Sequence, residues 1–123
     1  MTPWRLLVGL PIELPSDVVA RYPELADASW RRGGVFLRVG GWLLGRSTVS
    51  GITLGRTVWL LTDAAPAELL LHELRHVHQF QEDALFPLRY AWRSLKHGYT
   101  NNPYEADART FAARRLAESH PTA

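Results

Sequence analysis

Hydrophobic and polar positions along the chain change their rhythm twice, and the changes divide it into three stretches. From Ser16 to Arg32 the apolar residues come in short clusters, which predicts one or two short helices with Ser16 as a cap and Pro23 as a break. From Gly33 to Asp63, Val, Ile, Leu, Thr and Trp alternate with glycines at short intervals, the pattern of strands joined by tight turns. Strands are expected near Val35–Val39, Thr48–Leu54 and Arg56–Leu61. Beyond Asp63 the period becomes helical. Thr62 or Asp63 can cap and Pro66 suits a first turn, so a long helix is expected from about Pro66 to about Asp83, with Pro87 limiting its extent. Leu88 to Lys96 can form a second helix ended at Gly98. Asn102-Pro103 then opens a third, running to about Glu118. The expected fold is α+β, a small antiparallel sheet followed by packed helices.

The chain has 123 residues, enough for a single domain with a real core, and 46% hydrophobic with 21% charged residues places it in the globular class. Its five tryptophans predict a substantial core. Cysteine is absent, which excludes disulfides and thiolate metal sites and fits a reducing, cytoplasmic setting. The formal net charge of +2 comes from basic residues spread along the chain. No basic stripe marks a nucleic-acid face, no apolar run is long enough to span a membrane, and the N-terminal apolar run is cut short by Pro11, so no signal peptide is expected.

Candidate chemistry is concentrated in Leu69–Phe80, "LLLHELRHVHQF", which contains H-E-x-x-H at His72, Glu73 and His76. At about 100° per residue, His76 falls about 40° from His72, and Glu73 about 100° from it. All three border the apolar face formed by Leu70, Leu74, Val77 and Gln81. Leu71, Arg75, His78 and Gln79 fall on the mostly polar side. Histidines one turn apart can aim two imidazole nitrogens at one ion, while the adjacent glutamate is placed to take a proton from an attacking water. Zinc lowers the pKa of a bound water to about 7, which makes a nucleophile available at neutral pH.

A catalytic zinc usually takes a third protein ligand. Gln79 and Glu82 stand where the metzincin pattern requires glycine and histidine, which excludes that class. The remaining candidates are His97, Asp83 and Glu105. Asp83 lies at a suitable angle but about 10 Å along the axis from His76, so it can ligate only if the helix breaks. Glu105, in "GYTNNPYEADAR", has room to return on a second helix. It also completes a capping box with Asn102, so capping alone is a competing role.

H-E-x-x-H followed on a later helix by a glutamate resembles the gluzincin clan of zinc peptidases, of which thermolysin is the familiar example. "HELRHVHQF" with "GYTNNPYEADAR" is similar to small bacterial proteins of uncharacterised function that carry H-E-x-x-H-x-x-Q and then N-P-x-E-x-[DE]-A. The likeness extends over roughly Gly51 to Arg115 and includes "GITLGRTVWLL". It implies a minimal zincin-like domain with Zn2+ held by His72, His76 and Glu105, Glu73 as general base, and a peptide or protein substrate. The clan orients its first histidine with an aspartate four residues after the ligand glutamate. Here that position is Arg109, and Asp107 lies about 200° round the helix from Glu105.

Tyr90, His97, Tyr99 and Tyr104 are candidates for oxyanion stabilisation, and "GRTVWLL" for a strand edge that pairs with an extended peptide. Two other functions compete with a peptidase. One is a zincin scaffold that binds zinc without catalysis, suggested by the short chain. The other is a metal-free interaction module that turns Arg75, His78 and the basic C-terminal helix toward a partner.

Overall fold

The structure is a computed structural model that describes residues 9–33, 51–62, 64–98 and 100–119. Strand β1 is Leu10–Pro11, followed by helix α1 (Ser16–Arg21), a 3-10 helix (Pro23–Asp27) and β2 (Ser29–Arg32). Strands β3 (Gly51–Leu54) and β4 (Thr57–Leu60) precede three helices: α2 (Ala67–Glu82), α3 (Phe86–His97) and α4 (Pro103–Ser119). The fold is α+β as expected. The strand expected at Val35–Val39 lies outside the described residues.

The sheet is mixed, where an antiparallel one was expected. Its order is β1-β2-β4-β3. β1 pairs antiparallel with β2, and β3 antiparallel with β4, but β2 runs parallel to β4 with Trp30 opposite Val58. Arg31 and Arg32 hide β2 in the sequence, because four residues with two charges give no clear alternation. Burial of Trp30, whose indole N–H donates to the Leu25 carbonyl at 2.8 Å, holds the strand in place. Pro23 does break the first helical stretch, while Ser16 is its first residue and Pro15 stands at the cap.

Helix α2 packs against β3, β4 and α4. Leu70, Leu71, Leu74 and Val77 are fully enclosed, together with Val58 and Leu60 from β4 and Leu25 from the 3-10 helix. Each such side chain contributes roughly 1.5–3 kcal/mol of hydrophobic stabilisation. Ala108 and Ala112, one turn apart on α4 and fully buried, supply little bulk, so the α2 and α4 backbones approach closely. Because partners cover α2 on two sides, its buried arc is wider than periodicity predicts. Leu71 and Gln79 are buried despite their expected polar side, and Gln81 is exposed. Of the tryptophans, Trp30 and Trp59 join the core, whereas Trp92 is exposed on α3.

The chain turns from α2 into α3 through Asp83, whose carboxylate accepts from the Leu85 N–H at 2.9 Å. Pro87 lies in the first turn of α3, where its missing N–H costs nothing. Gly98 ends α3 with φ of 80°, a backbone region that disfavours side chains with a Cβ. Asn102 then starts α4, accepting from the Tyr104 N–H at 2.9 Å.

Candidate metal centre

His72 and His76 lie one turn apart on α2, and Glu105 sits in the first turn of α4. Packing of α4 on α2 brings the three together. Nε2 of His72 lies 2.8 Å from Glu105 Oε1, and Nε2 of His76 lies 3.0 Å from Oε2. Their candidate ligand atoms all fall within 4.8 Å of one another, and theirs is the one such group of three among the described residues. The imidazoles meet edge to face, with ring centroids 5.0 Å apart. His76 and Glu105 are buried and His72 is partly open, so the group is close enough and enclosed enough to hold a metal ion.

The competing assignments separate cleanly. Asp83 pairs with Arg89 at 2.8 Å, and His97 is exposed at the end of α3. Neither joins the cluster. The helix cap is supplied by Asn102, while both Glu105 oxygens face the imidazoles and the Tyr90 hydroxyl, which donates to Oε2 at 2.6 Å. Thus the capping residue is not the clustered one.

Electrostatics follow from this enclosure. Burial pushes the Glu105 carboxyl upward, but hydrogen bonds from His72, His76 and Tyr90 outweigh it and hold the group well below the usual carboxylate range. Burial likewise pulls His76 down, yet Glu105 and Glu73 overcome that and raise the imidazole to about 9. Glu73 goes the other way from Glu105. Its burial raises the carboxyl, and the nearby histidines and the Thr53 hydroxyl offset only part of the rise. Two carboxylates with opposite displacements suit different tasks, one as a permanently ionised ligand and the other as a proton acceptor.

Glu73 faces the sheet. Thr53 of β3 donates its hydroxyl to Oε2 at 2.8 Å, and a Cβ on Gly51 would come within 3.3 Å of the carboxyl group. A side chain at Gly51 would therefore press on the Glu73 carboxyl, which would have to shift by a few tenths of an ångström. Gly51 and Thr53 carry no local signal of this role, since only the packing of β3 on α2 brings them to the glutamate.

Gln79, expected on the mostly polar side of the helix, is buried, with its oxygen 2.7 Å from His76 Nδ1 and its nitrogen 2.9 Å from Asp107 Oδ2. Its i+3 spacing from His76 was a usable signal. Arg109 is exposed and donates to the Thr100 carbonyl at 2.8 Å.

Among the oxyanion candidates, Tyr90 reaches the cluster through its hydroxyl, and the Tyr104 ring packs on Phe86 at 5.0 Å. Tyr99 lies outside the described residues. Strand β4 is interior, between β2 and β3, so the outer strand on the α2 side among the described residues is β3. Arg75 and His78 are engaged within the molecule. Arg75 pairs with Asp107 at 2.7 Å, and His78 packs edge-on to Phe111. No helix among the described residues is long and apolar enough to cross a membrane.

No protein-family model, curated protein or solved structure matches the chain.

Proposed function

We propose that this chain is a zinc-dependent peptidase of the gluzincin type, with His72, His76 and Glu105 as zinc ligands and Glu73 as general base. The observation that supports this best is the convergence of two imidazole Nε2 atoms and a buried carboxylate, with a second buried carboxylate next in sequence to one of the histidines. The donor set fits zinc, which takes nitrogen and oxygen ligands and needs only three from the protein at a catalytic site. A zinc ion held there supplies Lewis acidity and makes water reactive at neutral pH.

The chain's own residues do the rest. Glu73, its carboxyl raised by burial, accepts the proton of the attacking water and returns it to the leaving amine. Thr53 holds that carboxyl in place. Tyr90 spends its one hydroxyl proton on Glu105 at 2.6 Å, so it would stabilise developing negative charge only on releasing that carboxylate. An extended peptide or protein substrate suits β3, whose position beside Glu73 and at the outside of the described sheet would let a substrate strand pair along it.

Elemental analysis and a peptide-library digest test this reading. One zinc per chain and cleavage by the wild type are expected, with Glu73→Gln keeping the zinc and losing roughly 10²–10⁴-fold in kcat. Undiminished cleavage by Glu73→Gln would refute the mechanism.

One observation favours a second reading, a zincin scaffold that binds zinc without catalysis. Glu73 is enclosed by Gly51 and bonded to Thr53, so β3 covers the proposed base. A zinc-loaded wild type that cleaves nothing in the same digest supports this reading.

A further inference from the structure

The side-chain amide of Gln79 can take only one orientation. Its nitrogen lies 3.1 Å from the Tyr104 carbonyl and 2.9 Å from Asp107 Oδ2, both acceptors. Asp107 is itself held by Arg75, whose Nε donates to the same oxygen at 2.7 Å. A flipped amide would set oxygen against oxygen twice, so the NH2 group must face α4. The amide oxygen is thereby left facing His76 Nδ1 at 2.7 Å. An oxygen at that distance can only accept, so Nδ1 carries a proton. In a neutral imidazole the lone pair then sits on Nε2, the atom directed at Glu105 and His72.

We propose that Gln79 is a positioning residue that fixes His76 with Nδ1 protonated and Nε2 free to bind a metal, its own orientation set by Tyr104, Asp107 and Arg75. This rests on the metal-site reading above. It assigns a function to Asp107, which stands off the helix face of Glu105 and acts on His76 through an intervening amide. It also accounts for the burial of a glutamine on α2: the oxygen and nitrogen ends of its amide serve different helices. Outer partners that orient a ligand histidine typically change metal affinity by about 10–100-fold when removed.

The test compares wild type with Gln79→Met, which nearly preserves length and volume but can neither accept from Nδ1 nor donate to α4. A chelator competition should show zinc bound about 10–100-fold more weakly by Gln79→Met, with its circular dichroism unchanged. Zinc affinity within about threefold of wild type would overturn the proposal, because a residue that merely fills space is replaced well by methionine.

A second readout does not need the metal. In metal-free Glu105→Ala, where the competing acceptor at Nε2 is gone, ¹⁵N shifts of His76 titrated to its neutral form should report the Nδ1–H tautomer. The Nε2–H tautomer would overturn the proposal. If the wild type binds no zinc, the metal-site reading fails, and the tautomer alone decides whether Gln79 orients His76.

Discussion

Thr53 donates its hydroxyl to Glu73 Oε2 across 2.8 Å, tying β3 to the helix that carries both histidines. That hydrogen bond favours the ionised carboxylate, whereas burial favours the protonated acid. Replacing Thr53 with Val keeps the shape and removes the donor. The Glu73 carboxyl should then rise further, and the acidic limb of the kcat/KM–pH profile should move to higher pH. A profile that overlays the wild type would show that Glu73 does not set that limb.

The ligand assignment predicts which carboxylate and which histidine matter. Glu105→Gln and His72→Ala should each weaken zinc binding by at least about 10²-fold, more than loss of an outer partner. Asp83→Ala and His97→Ala should leave zinc binding unchanged, because Asp83 is paired with Arg89 and His97 is exposed away from the cluster. Competition with a chromophoric chelator measures all four. Loss of zinc on replacing Asp83 or His97 would move the site elsewhere.

Much of the α-helical half was legible in the chain because helix signals are local. Pro66, Asp83, Gly98 and Asn102 mark the ends of α2, α3 and α4 within a residue or two. His72, His76 and Glu105 were legible for a related reason, since one-turn spacing and a helix start fix where side chains can point. What the sequence did not disclose depends on contacts between elements. The charged segment Ser29–Arg32 becomes a strand only by pairing with β4, in parallel. Gln79 turns inward only because α4 covers that side of α2 and supplies Tyr104 and Asp107 as acceptors. Gly51 has no local signature at all; the tight fit at this position appears only where β3 meets the Glu73 carboxyl.

Asn102 is fully buried and joins two helices. Its oxygen caps α4 at the Tyr104 N–H, while its nitrogen donates to the Tyr90 carbonyl at 3.1 Å and Ser94 Oγ at 2.8 Å. Asn102→Ala removes the cap, worth about 1 kcal/mol, and strips partners from groups on α3. The expected loss is roughly 2–4 kcal/mol in urea unfolding. Zinc affinity should fall with it, because Tyr90 on α3 and Glu105 in the first turn of α4 belong to the two helices that Asn102 connects. A loss below about 1 kcal/mol would mean that the bonds to α3 contribute nothing beyond the cap.

Metal-free protein should lose stability as pH rises from about 6.5 to 9. His76 is raised from 6.5 to about 9 in the fold, so its protonation favours the folded state. That contribution is complete below the unfolded value and vanishes as pH passes through the folded one. The gap is worth at most roughly 3 kcal/mol, or about 10 °C in Tm for a domain of this size. Glu73, also raised by burial, acts in the same direction. Glu105 acts oppositely: its lowered carboxyl stabilises the fold above the ordinary carboxylate range and ceases to do so in strong acid. On the proposed reading a zinc ion would take the place of the Nε2 proton of His76, so protons would compete with it less as pH rises. The difference in Tm between zinc-loaded and metal-free protein should therefore widen from pH 6.5 to 9, measured by scanning calorimetry with and without chelator. A constant difference across that range would mean that His76 gives up no proton to the metal.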